Sequence, residues 1–574
     1  MDSYSKPQMR RMKTRTLWIF AAIGLIVFIL LQIVPATASE TLQMEQSAEL
    51  ITKAQAEESA LKFAESTLGL SGPFEDALVT YETRADIYGY LTKEDLMEDY
   101  LKKYEKQFPY DIFQVRFKKP GGLLNALTVD VHMTTGKVVG FKEIPETGFP
   151  NVVDLGINGS SDAVSASSGV EGLTWEEKLA LAQPYLKALG YSADTQLVVD
   201  ETPAGLALTV TGFEAGQSNA QIDIDFYEGK VSGIESYFTV PQSHTDYVKG
   251  QTTIANWLTY AGYALLTFVL GILAIVYSAL TKVHTSFKRG ILLSSIYFVI
   301  SMGSAINMLP YFEKEGLSGP LLIFGLLFQG GVTLVLAASV YFSLVGGDGL
   351  WRQQGINLWG RAKEQGYGRH VLTSMADGYA WALILLGVQS VIFFVLERTI
   401  HMWSTTDASQ SPYNMVYPVL LPLLAWVAGI GEEAVYRLFG IPMLKKMFRS
   451  TLVASVITTL IWAFGHTLYP IYPVISRPIE LLIIGLLFSF IFLRYGFIAV
   501  LFSHVIFDSI LMSLSIMFTG GTVNIAAGIF YIALPAIVAF VIYLFNPPGK
   551  ERPPVPAQKK EEPLFTTPHP EGHL

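Results

Sequence analysis

Apolar residues in this sequence are gathered into long runs with few charges, which are separated by short polar loops and by one long polar segment. The first run, residues 17–34, reads LWIFAAIGLIVFILLQIV and is long enough to cross the hydrocarbon core of a bilayer as a helix. Nine further apolar runs follow: 255–280, 290–309, 319–345, 376–396, 415–439, 451–468, 479–494, 497–517 and 524–545. The pattern predicts a polytopic α-helical membrane protein with about ten transmembrane helices.

The first run has two interpretations. Residues 36–38, Ala-Thr-Ala, resemble a signal-peptidase site. The apolar core is longer than the usual h-region of about 7–15 residues, so an uncleaved anchor is favoured over a cleaved signal peptide. The flank before the run is basic, with Lys6, Arg10, Arg11, Lys13 and Arg15. Residues 1–38 are therefore read as a cytoplasmic N-terminus and a first anchor, which sends the next segment to the outside.

The loops between the later runs alternate in basic content. The connections expected in the cytoplasm contain TKVHTSFKR, then a loop with Arg352, Arg361, Lys363 and Arg369, and then LKKMFR, whereas the outer loops are poorer in Lys and Arg. Cytoplasmic loops carry an excess of these residues. We expect a multi-pass protein of the cell membrane with both termini in the cytoplasm, residues 39–250 outside, and a disordered tail at 547–574.

The polar segment 39–250 contains an internal repeat. Helix-periodic stretches begin near Ile51 and Leu173, and each is followed by strand-like alternation that ends in GKV-x-G, at Gly136 and at Gly229. Glycine suits the tight turn of such a hairpin. The pattern predicts an extracytoplasmic α+β domain of two similar modules, about residues 45–148 and 170–245.

The helix-then-sheet order of both modules resembles that of PepSY-type domains, which are small extracytoplasmic modules often attached to proteases. A generic sensor or spacer domain fits the same pattern, and both interpretations stay open. No catalytic group of residues stands out in this domain. The apolar runs in residues 251–400 have no predicted role.

Composition supports a membrane protein and excludes several kinds of site. Of the 574 residues, 51% are hydrophobic and 16% are charged, and the mean hydropathy is +0.38. The formal net charge is −9 and there is no basic stripe with interleaved aromatic residues, so a nucleic-acid partner is not expected. The chain has no cysteine, which excludes disulfides, thiolate metal sites and a cysteine nucleophile.

Six ionisable residues lie inside the later apolar runs, where each charge costs a few kcal/mol at the bilayer centre. They are Glu432, Glu433, Arg437, His466, His504 and Asp508, and they fall within 77 consecutive residues. This concentration is what a buried reaction centre produces in a sequence. A solvated helix end is the alternative for the segment GEEAVYR, because Lys445 follows it closely.

Helical spacing relates these residues to one another. Glu433 and Arg437 are four apart and can pair on one face of a helix, whereas Glu432 is rotated by about 100° and can face a cavity. A partly desolvated carboxylate in that position suits a general base that deprotonates water. His504 and Asp508 are also four apart and share a face. Two histidines and a glutamate are, in addition, the ligand types of a catalytic zinc site with an open water position.

The segments EEAVYR, WAFGH and HVIFD, in this order on successive apolar segments, resemble the motifs EExxxR, [FW]xxxH and Hxxx[ND] of the CPBP family. This is a family of intramembrane proteases that includes the CAAX prenyl endopeptidases and bacteriocin-processing enzymes. The resemblance covers about residues 416–514 and implies a protease domain over residues 401–546.

The resemblance also implies roles for single residues. Glu432 and His466 would activate the attacking water. His504 and Asp508 would stabilise the oxyanion or complete a metal site. The implied enzyme is a metalloendopeptidase, with a divalent metal such as zinc bound by Glu432, His466 and His504.

Glu433 with Arg437 would support the base.

Two features depart from a simple transfer of these roles. Asp508 stands where an asparagine could donate a hydrogen bond to an oxyanion, which an ionised aspartate cannot do, so Asp508 has to be protonated, bind metal or orient His504. In addition, His504 is expected near the cytoplasmic end of its helix and His466 toward the outer end of its own.

The leading hypothesis is an endopeptidase that hydrolyses peptide bonds of a membrane-associated protein or peptide with glutamate- and histidine-activated water, with or without help from a metal. The alternative is a non-catalytic scaffold or a transporter that uses the same charges as a structural network or proton relay. Transport predicts inverted internal symmetry, which the sequence does not show. The expected partners are the peptide or protein substrate and membrane lipid, and the sequence predicts no oligomeric state.

Overall fold

A computed structural model describes residues 11–35, 50–70, 74–118, 124–145, 169–170, 172–191, 197–202 and 205–547. The signal-peptidase-like site at residues 36–38 and the tail after residue 547 lie outside the described part of the chain.

Helices make up most of the described residues. In chain order they are α1 (Thr14–Ile33), α2 (Lys53–Ser66), α3 (Ala85–Lys93), α4 (Met97–Lys103), α5 (Trp175–Ala188), α6 (Gln242–Leu280), α7 (Ile291–Asn307), α8 (Leu309–Lys314), α9 (Gly319–Gln353), α10 (Tyr367–Ile400), α11 (Pro418–Phe448), α12 (Thr451–Phe464), α13 (Ser476–Tyr495), α14 (Phe497–Phe518) and α15 (Thr522–Phe545). Among the described residues, eight helices are long and apolar enough to cross a membrane: α1, α6, α9, α10, α11, α13, α14 and α15. Helices α7 and α12 are apolar but shorter. This architecture agrees with the predicted polytopic membrane protein, and the count of ten crossings and their sidedness stay predictions.

Helix α14 lies at the centre of the bundle and packs against α10, α11, α13 and α15. The first helix packs on α10 at a crossing made of glycines. A Cβ atom on Gly24 would lie 2.4 Å from the carbonyl oxygen of Leu383, and a Cβ atom on Gly387 would lie 2.5 Å from the Cα atom of Gly24. Small residues allow this close backbone approach between membrane helices, so the first helix is part of the bundle rather than a separate tether.

A single antiparallel sheet of eight strands follows the first helix. The strands are β1 (Glu75–Thr83), β2 (Asp111–Lys118), β3 (Leu124–His132), β4 (Val138–Pro145), β5 (Leu197–Glu201), β6 (Gly205–Ala215), β7 (Ser218–Tyr227) and β8 (Lys230–Phe238). Their order across the sheet is β1-β2-β3-β4-β8-β7-β6-β5. The two halves of the segment therefore join edge to edge through β4 and β8, where Phe141 is paired with Ile234.

Each half of this domain begins with a helix and contains four strands; in the first half, α3 and α4 lie between β1 and β2. Helices α2 and α5 begin with the same capping box, in which Thr52 exchanges hydrogen bonds with Gln55 and Thr174 exchanges them with Glu177. The hairpin glycines Gly136 and Gly229 have φ angles of +67° and +78°, which L-residues with a Cβ rarely adopt. These shared features fit the predicted repeat; the assignment to PepSY-type modules stays a prediction.

The sheet domain rests on the loops of the helical domain. The side chain of Asn414 is fully buried, accepts a hydrogen bond from the backbone N of Tyr81 (2.7 Å) and donates one to its carbonyl oxygen (2.9 Å). Asn414 thus completes the hydrogen bonds of β1, an edge strand. Lys314 adds an ion pair with Glu82 at 2.7 Å. The two domains therefore meet through specific polar contacts.

Candidate active site

The segment GEEAVYR lies on α11, where an α-helical stretch, Leu424–Glu432, passes into a π-helical stretch, Glu433–Gly440. Single π-helical turns within α-helices are frequent at functional sites. The side chain of Glu432 is 26% exposed, whereas that of Glu433 is fully buried. The two neighbouring carboxylates therefore occupy different environments, as the expected rotation between them predicts.

Glu433 and Arg437 form an ion pair inside the bundle. The distance between Arg437 Nη1 and Glu433 Oε1 is 3.0 Å, and neither side chain is exposed. The guanidinium also lies over the rings of Trp462 and Phe488, 4.6 Å and 5.3 Å from their centroids. Gly485 leaves room for it, because a Cβ atom there would lie 3.0 Å from Arg437 Nη2. The buried cation is thus held by a carboxylate and by two aromatic faces.

His504, on α14, connects this ion pair to the other carboxylates. Its Nδ1 lies 2.7 Å from Glu433 Oε1, and its Nε2 lies 3.4 Å from Asp508 Oδ2 and 3.7 Å from Glu432 Oε2. The imidazole stacks on Phe488 with ring centroids 4.4 Å apart. Because a carboxylate only accepts hydrogen bonds, Nδ1 carries a proton toward Glu433. Glu433 therefore contacts His504 directly, and Asp508 is placed to orient the same imidazole.

His466 lies just beyond the end of α12. Its Nδ1 is 3.0 Å from the carbonyl oxygen of Trp462, so this nitrogen carries the proton and leaves the lone pair on Nε2. That Nε2 lies 3.9 Å from Glu432 Oε1. The ring of Tyr469 stacks on the imidazole at 5.8 Å, and the indole Nε1 of Trp462 donates a hydrogen bond to Glu432 Oε2. Glu432 thus lies between the Nε2 atoms of two histidines.

The structure brings all six sequence-predicted residues into one cluster, in spite of the expected difference in depth between the two histidines. Helix α12 has only 14 residues. Its rise is about 21 Å at 1.5 Å per residue, less than the ~30 Å of a hydrocarbon core. His466, which follows this short helix, can therefore lie at the level of Glu432 instead of at the far end of a full span.

The expected metal site has three ligands, Glu432, His466 and His504. Zinc sites need at least three protein ligands that converge on one point. Among the described residues, no group of three or more His, Asp or Glu side chains is arranged to hold a metal ion. The expected zinc site at Glu432, His466 and His504 stays a prediction, and no reaction step below depends on a metal.

The loop that carries His466 is tied to a short strand pair. Strand β9 (Trp403–Ser404) pairs with β10 (Ile471–Tyr472). The indole of Trp403 stacks on the ring of Tyr472, with ring centroids 4.6 Å apart. The ring of His244 lies on the indole as well, with centroids 5.4 Å apart. A Cβ atom on Gly89, in helix α3 of the sheet domain, would lie 2.6 Å from Trp403. Trp403 therefore connects the sheet domain to the His466 loop.

Helix α6 holds the same loop from a second side. Gln251 accepts a hydrogen bond from the backbone N of Val474 at 2.8 Å. Thr467, next to His466, donates to the carbonyl oxygen of Ala255 at 3.1 Å. Since α6 begins directly after the last strand of the sheet domain, the position of His466 depends on both domains.

Several residues of the site were not predicted from the sequence. Trp462 lies four positions before His466, so helical spacing places both on one face, but this spacing did not predict the hydrogen bond from Trp462 to Glu432. Phe488 and Tyr469 lie in stretches without a polar signal, so no sequence pattern could have indicated that they stack on His504 and His466.

Comparison with known proteins agrees with the three motifs. Residues 414–510 match the family model of type II CAAX prenyl endopeptidase Rce1-like proteins, and all six candidate residues lie in this range. The chain is also similar to the sporulation-killing factor biosynthesis protein SkfC of Bacillus subtilis (strain 168), with 29% identity over 137 residues. The matched stretch is 24% of this chain and 28% of that relative. No solved structure gives a significant match. The family match confirms the resemblance to the CPBP family in this part of the chain.

Proposed function

We propose, from the Rce1-like domain in the C-terminal part of the chain, that the protein is an intramembrane endopeptidase that hydrolyses peptide bonds of a membrane-associated protein or peptide. The observation that carries the proposal is the position of Glu432. Its partly exposed carboxylate lies 3.9 Å from His466 Nε2 and 3.7 Å from His504 Nε2. A carboxylate and two imidazoles around one accessible space are suited to acid–base chemistry on a bound water.

In the proposed first step, Glu432 accepts a proton from water while the water oxygen attacks the carbonyl carbon of the peptide bond. His466 Nε2, whose lone pair faces Glu432, accepts the second hydrogen bond of the water and orients it. The hydrogen bond from Trp462 to Glu432 fixes the direction of the carboxylate. Holding water and base in this geometry lowers the barrier, because less orientation remains to be lost on the way to the transition state.

The attack leaves a negative charge on the carbonyl oxygen, which needs hydrogen-bond donors already in place. We assign this role to His504. Glu433 and Asp508 face its two nitrogens at 2.7 Å and 3.4 Å and favour the doubly protonated imidazole, which can donate from Nε2. Asp508 then orients His504 and need not itself donate to the oxyanion. Collapse of the intermediate transfers the proton from Glu432 to the leaving amine.

The zinc site at Glu432, His466 and His504 stays a prediction from the family resemblance. It is tested by metal analysis of the purified protein and by cleavage assays with and without a chelator. The identity of the substrate and whether it is prenylated are separate questions, because the family match concerns the domain and not the substrate.

The proposal is tested by incubating the purified full-length protein with a pool of membrane proteins and peptides. We expect products with the wild type and a loss of at least ~100-fold in Glu432→Gln, since general bases contribute about 10²–10⁴-fold. Glu397→Gln is the matched control, because Glu397 is exposed at the far end of α10. It should cleave like the wild type.

Both variants have to elute as folded protein for the comparison to count. If folded Glu432→Gln yields the same products as the wild type, the hydrolase proposal fails. The non-catalytic alternative, a scaffold or transporter that uses the buried charges structurally, would then replace it.

A further inference from the structure

A large space in the helical domain is separate from the six candidate residues. It is a cavity of about 1230 Å³ bounded by helices α7, α10, α11, α14 and α15. Its inner walls are apolar and include Leu293, Trp426, Phe502 and Ile542. Leu292, which also lines the cavity, is 68% exposed, so the cavity opens toward the surface that faces the bilayer.

One end of the cavity is basic. Its polar lining comes mainly from the loops before α7 and before α10, both of which are predicted to be cytoplasmic. These loops contribute Lys288, Arg289, Arg361 and Lys363, and within the described part of the chain no Asp or Glu side chain lines the cavity. A space with apolar walls and a purely cationic end is complementary to a molecule with an apolar chain and an anionic head.

Three of the four cations are free to bind an anion. Lys288 and Lys363 are exposed and make no ion pair with any residue that the structure describes. Arg361 donates a long hydrogen bond from Nη2 to the carbonyl oxygen of His284 at 3.5 Å, whereas its buried Nε lacks a hydrogen-bond partner within the described residues and remains available. Arg289, in contrast, is already engaged by Asp348 at 3.3 Å and lies over the ring of Trp359.

The cavity is distinct from the candidate active site. None of the six candidate residues lines it. On α11, Ile430 lines the cavity and Glu432 follows two positions later, so their side chains leave the helix about 200° apart. The cavity therefore lies behind the helix that carries the proposed base, and an occupant would contact α11 and α14 without reaching the reacting atoms.

We propose that this cavity binds an anionic phospholipid from the cytoplasmic leaflet. The acyl chain occupies the apolar part, and the phosphate is held at Lys288, Arg361 and Lys363. Basic pockets between helices on the cytoplasmic side are a recurring way in which membrane proteins hold anionic headgroups. A bound lipid would fill the space between α7, α11, α14 and α15 and so hold the two catalytic helices in place. The inference does not depend on the proposed protease activity.

Two tryptophans line the cavity, and quenching of their fluorescence provides the measurement. Trp426 lies in the wall and Trp359 at the basic end. The full-length protein is reconstituted in phosphatidylcholine vesicles that contain a small fraction of acyl-brominated lipid, either phosphatidylglycerol or phosphatidylcholine. Bromine quenches a neighbouring indole, so we expect stronger quenching by the anionic lipid, and we expect Trp426→Phe to remove most of this excess.

The variant that tests the proposal most directly replaces the two exposed lysines of the cavity. Lys288→Gln/Lys363→Gln should weaken the preference for the anionic lipid about 30-fold, which corresponds to ~1 kcal/mol for each lysine. Lys445→Gln/Lys446→Gln, at the end of α11, is the matched control for a general loss of basic charge and should keep the preference. Equal quenching by the two brominated lipids, or an anionic excess that survives in Lys288→Gln/Lys363→Gln, overturns the proposal. Displacement of the brominated lipid by a soluble peptide carboxylate would likewise overturn it and assign the cavity to substrate.

Discussion

The buried ion pair between Glu433 and Arg437 makes a quantitative prediction for the variant Arg437→Gln. Both side chains are fully buried, and their charged atoms lie 3.0 Å apart. Removal of Arg437 leaves the buried Glu433 carboxylate with His504 as its remaining partner at 2.7 Å, and breaking a buried ion pair costs up to about 3–5 kcal/mol. The lost contact with the face of Trp462, 4.6 Å from the guanidinium, adds up to ~2 kcal/mol. This is a large part of a typical stability of ~5–15 kcal/mol.

A double-mutant cycle separates the ion pair from the loss of packing. Glu433→Gln alone leaves the guanidinium without its carboxylate, whereas Glu433→Gln/Arg437→Gln leaves two neutral amides that can bond to each other. We expect the double variant to be more stable than the sum of the single changes predicts, by about 3 kcal/mol. Arg437→Lys is the conservative control. It keeps the charge but loses the planar fork, so its stability should be intermediate.

Stability is measured as equilibrium unfolding in mixed micelles of a mild detergent and SDS, followed by tryptophan fluorescence. If Arg437→Gln unfolds at the same SDS fraction as the wild type and the coupling in the cycle is within ~0.5 kcal/mol of zero, the charges are solvated in the folded protein. The segment GEEAVYR would then be an ordinary helix end at the membrane surface, and the reasoning that places a buried charge network at the reaction centre would be wrong.

Three further predictions concern the sheet domain and its contact with the site. Trp403→Ala should lower the rate of substrate cleavage and raise hydrogen exchange in residues 465–475, because the aromatic stack between β9 and β10 is lost. Trp403→Phe should restore most of the cleavage rate and most of the exchange protection. Asn414→Ala should leave the backbone N and O of Tyr81 unpaired, which costs about 1–3 kcal/mol for each buried group. The domain junction should then become sensitive to limited proteolysis by an added protease. An unchanged pattern of proteolytic fragments would contradict this. Burial raises the pKa of Asp130, in the sheet domain, to about 6. A raised pKa favours the folded state at low pH and loses that contribution as pH rises through about 6. Asp130→Asn should therefore stabilise the domain at pH 7.5 by at most ~3 kcal/mol and reduce the dependence of its melting temperature on pH between about 4 and 6; an unchanged pH profile would exclude this explanation.

Hydropathy predicted the later helices well where the apolar run and the helix coincide. The expected runs 497–517 and 524–545 correspond to Phe497–Phe518 and Thr522–Phe545. The predicted run 319–345 is shorter than the observed helix, which continues to Gln353. It continues because Asp348 and Arg352 pair at 2.8 Å and are both buried. A hydropathy window counts charges and cannot register that two of them neutralise each other.

The same reason explains the burial of Glu480, the second residue of the predicted apolar run 479–494. Glu480 is fully buried, with Arg477 at 2.6 Å and the amide of Gln389 at 2.8 Å. Arg477 is three positions before Glu480, so helical spacing could have predicted this ion pair. Gln389 lies on another helix, and no local pattern connects it with Glu480.

The candidate site shows the same division between local and distant contacts. The spacing of four residues predicted that Glu433 would meet Arg437 and that His504 would meet Asp508, and both pairs lie within 4 Å. It could not predict that Glu433 meets His504, 71 positions away, because that contact depends on how α11 packs against α14. The motif order showed which residues belong together, and only the packing of the helices showed how they are connected.

These contacts explain why the chain places adjacent carboxylates inside an apolar segment. The buried Glu433 is neutralised by Arg437 and bonds to His504, so its charge orients an imidazole and is not available to solvent. Glu432, one position earlier, keeps 26% of its side chain accessible and is held by Trp462. In the proposed mechanism, one carboxylate is therefore structural and the other exchanges protons. A single glutamate could not do both, since the pairing that makes burial tolerable would also remove the basicity that deprotonation of water requires.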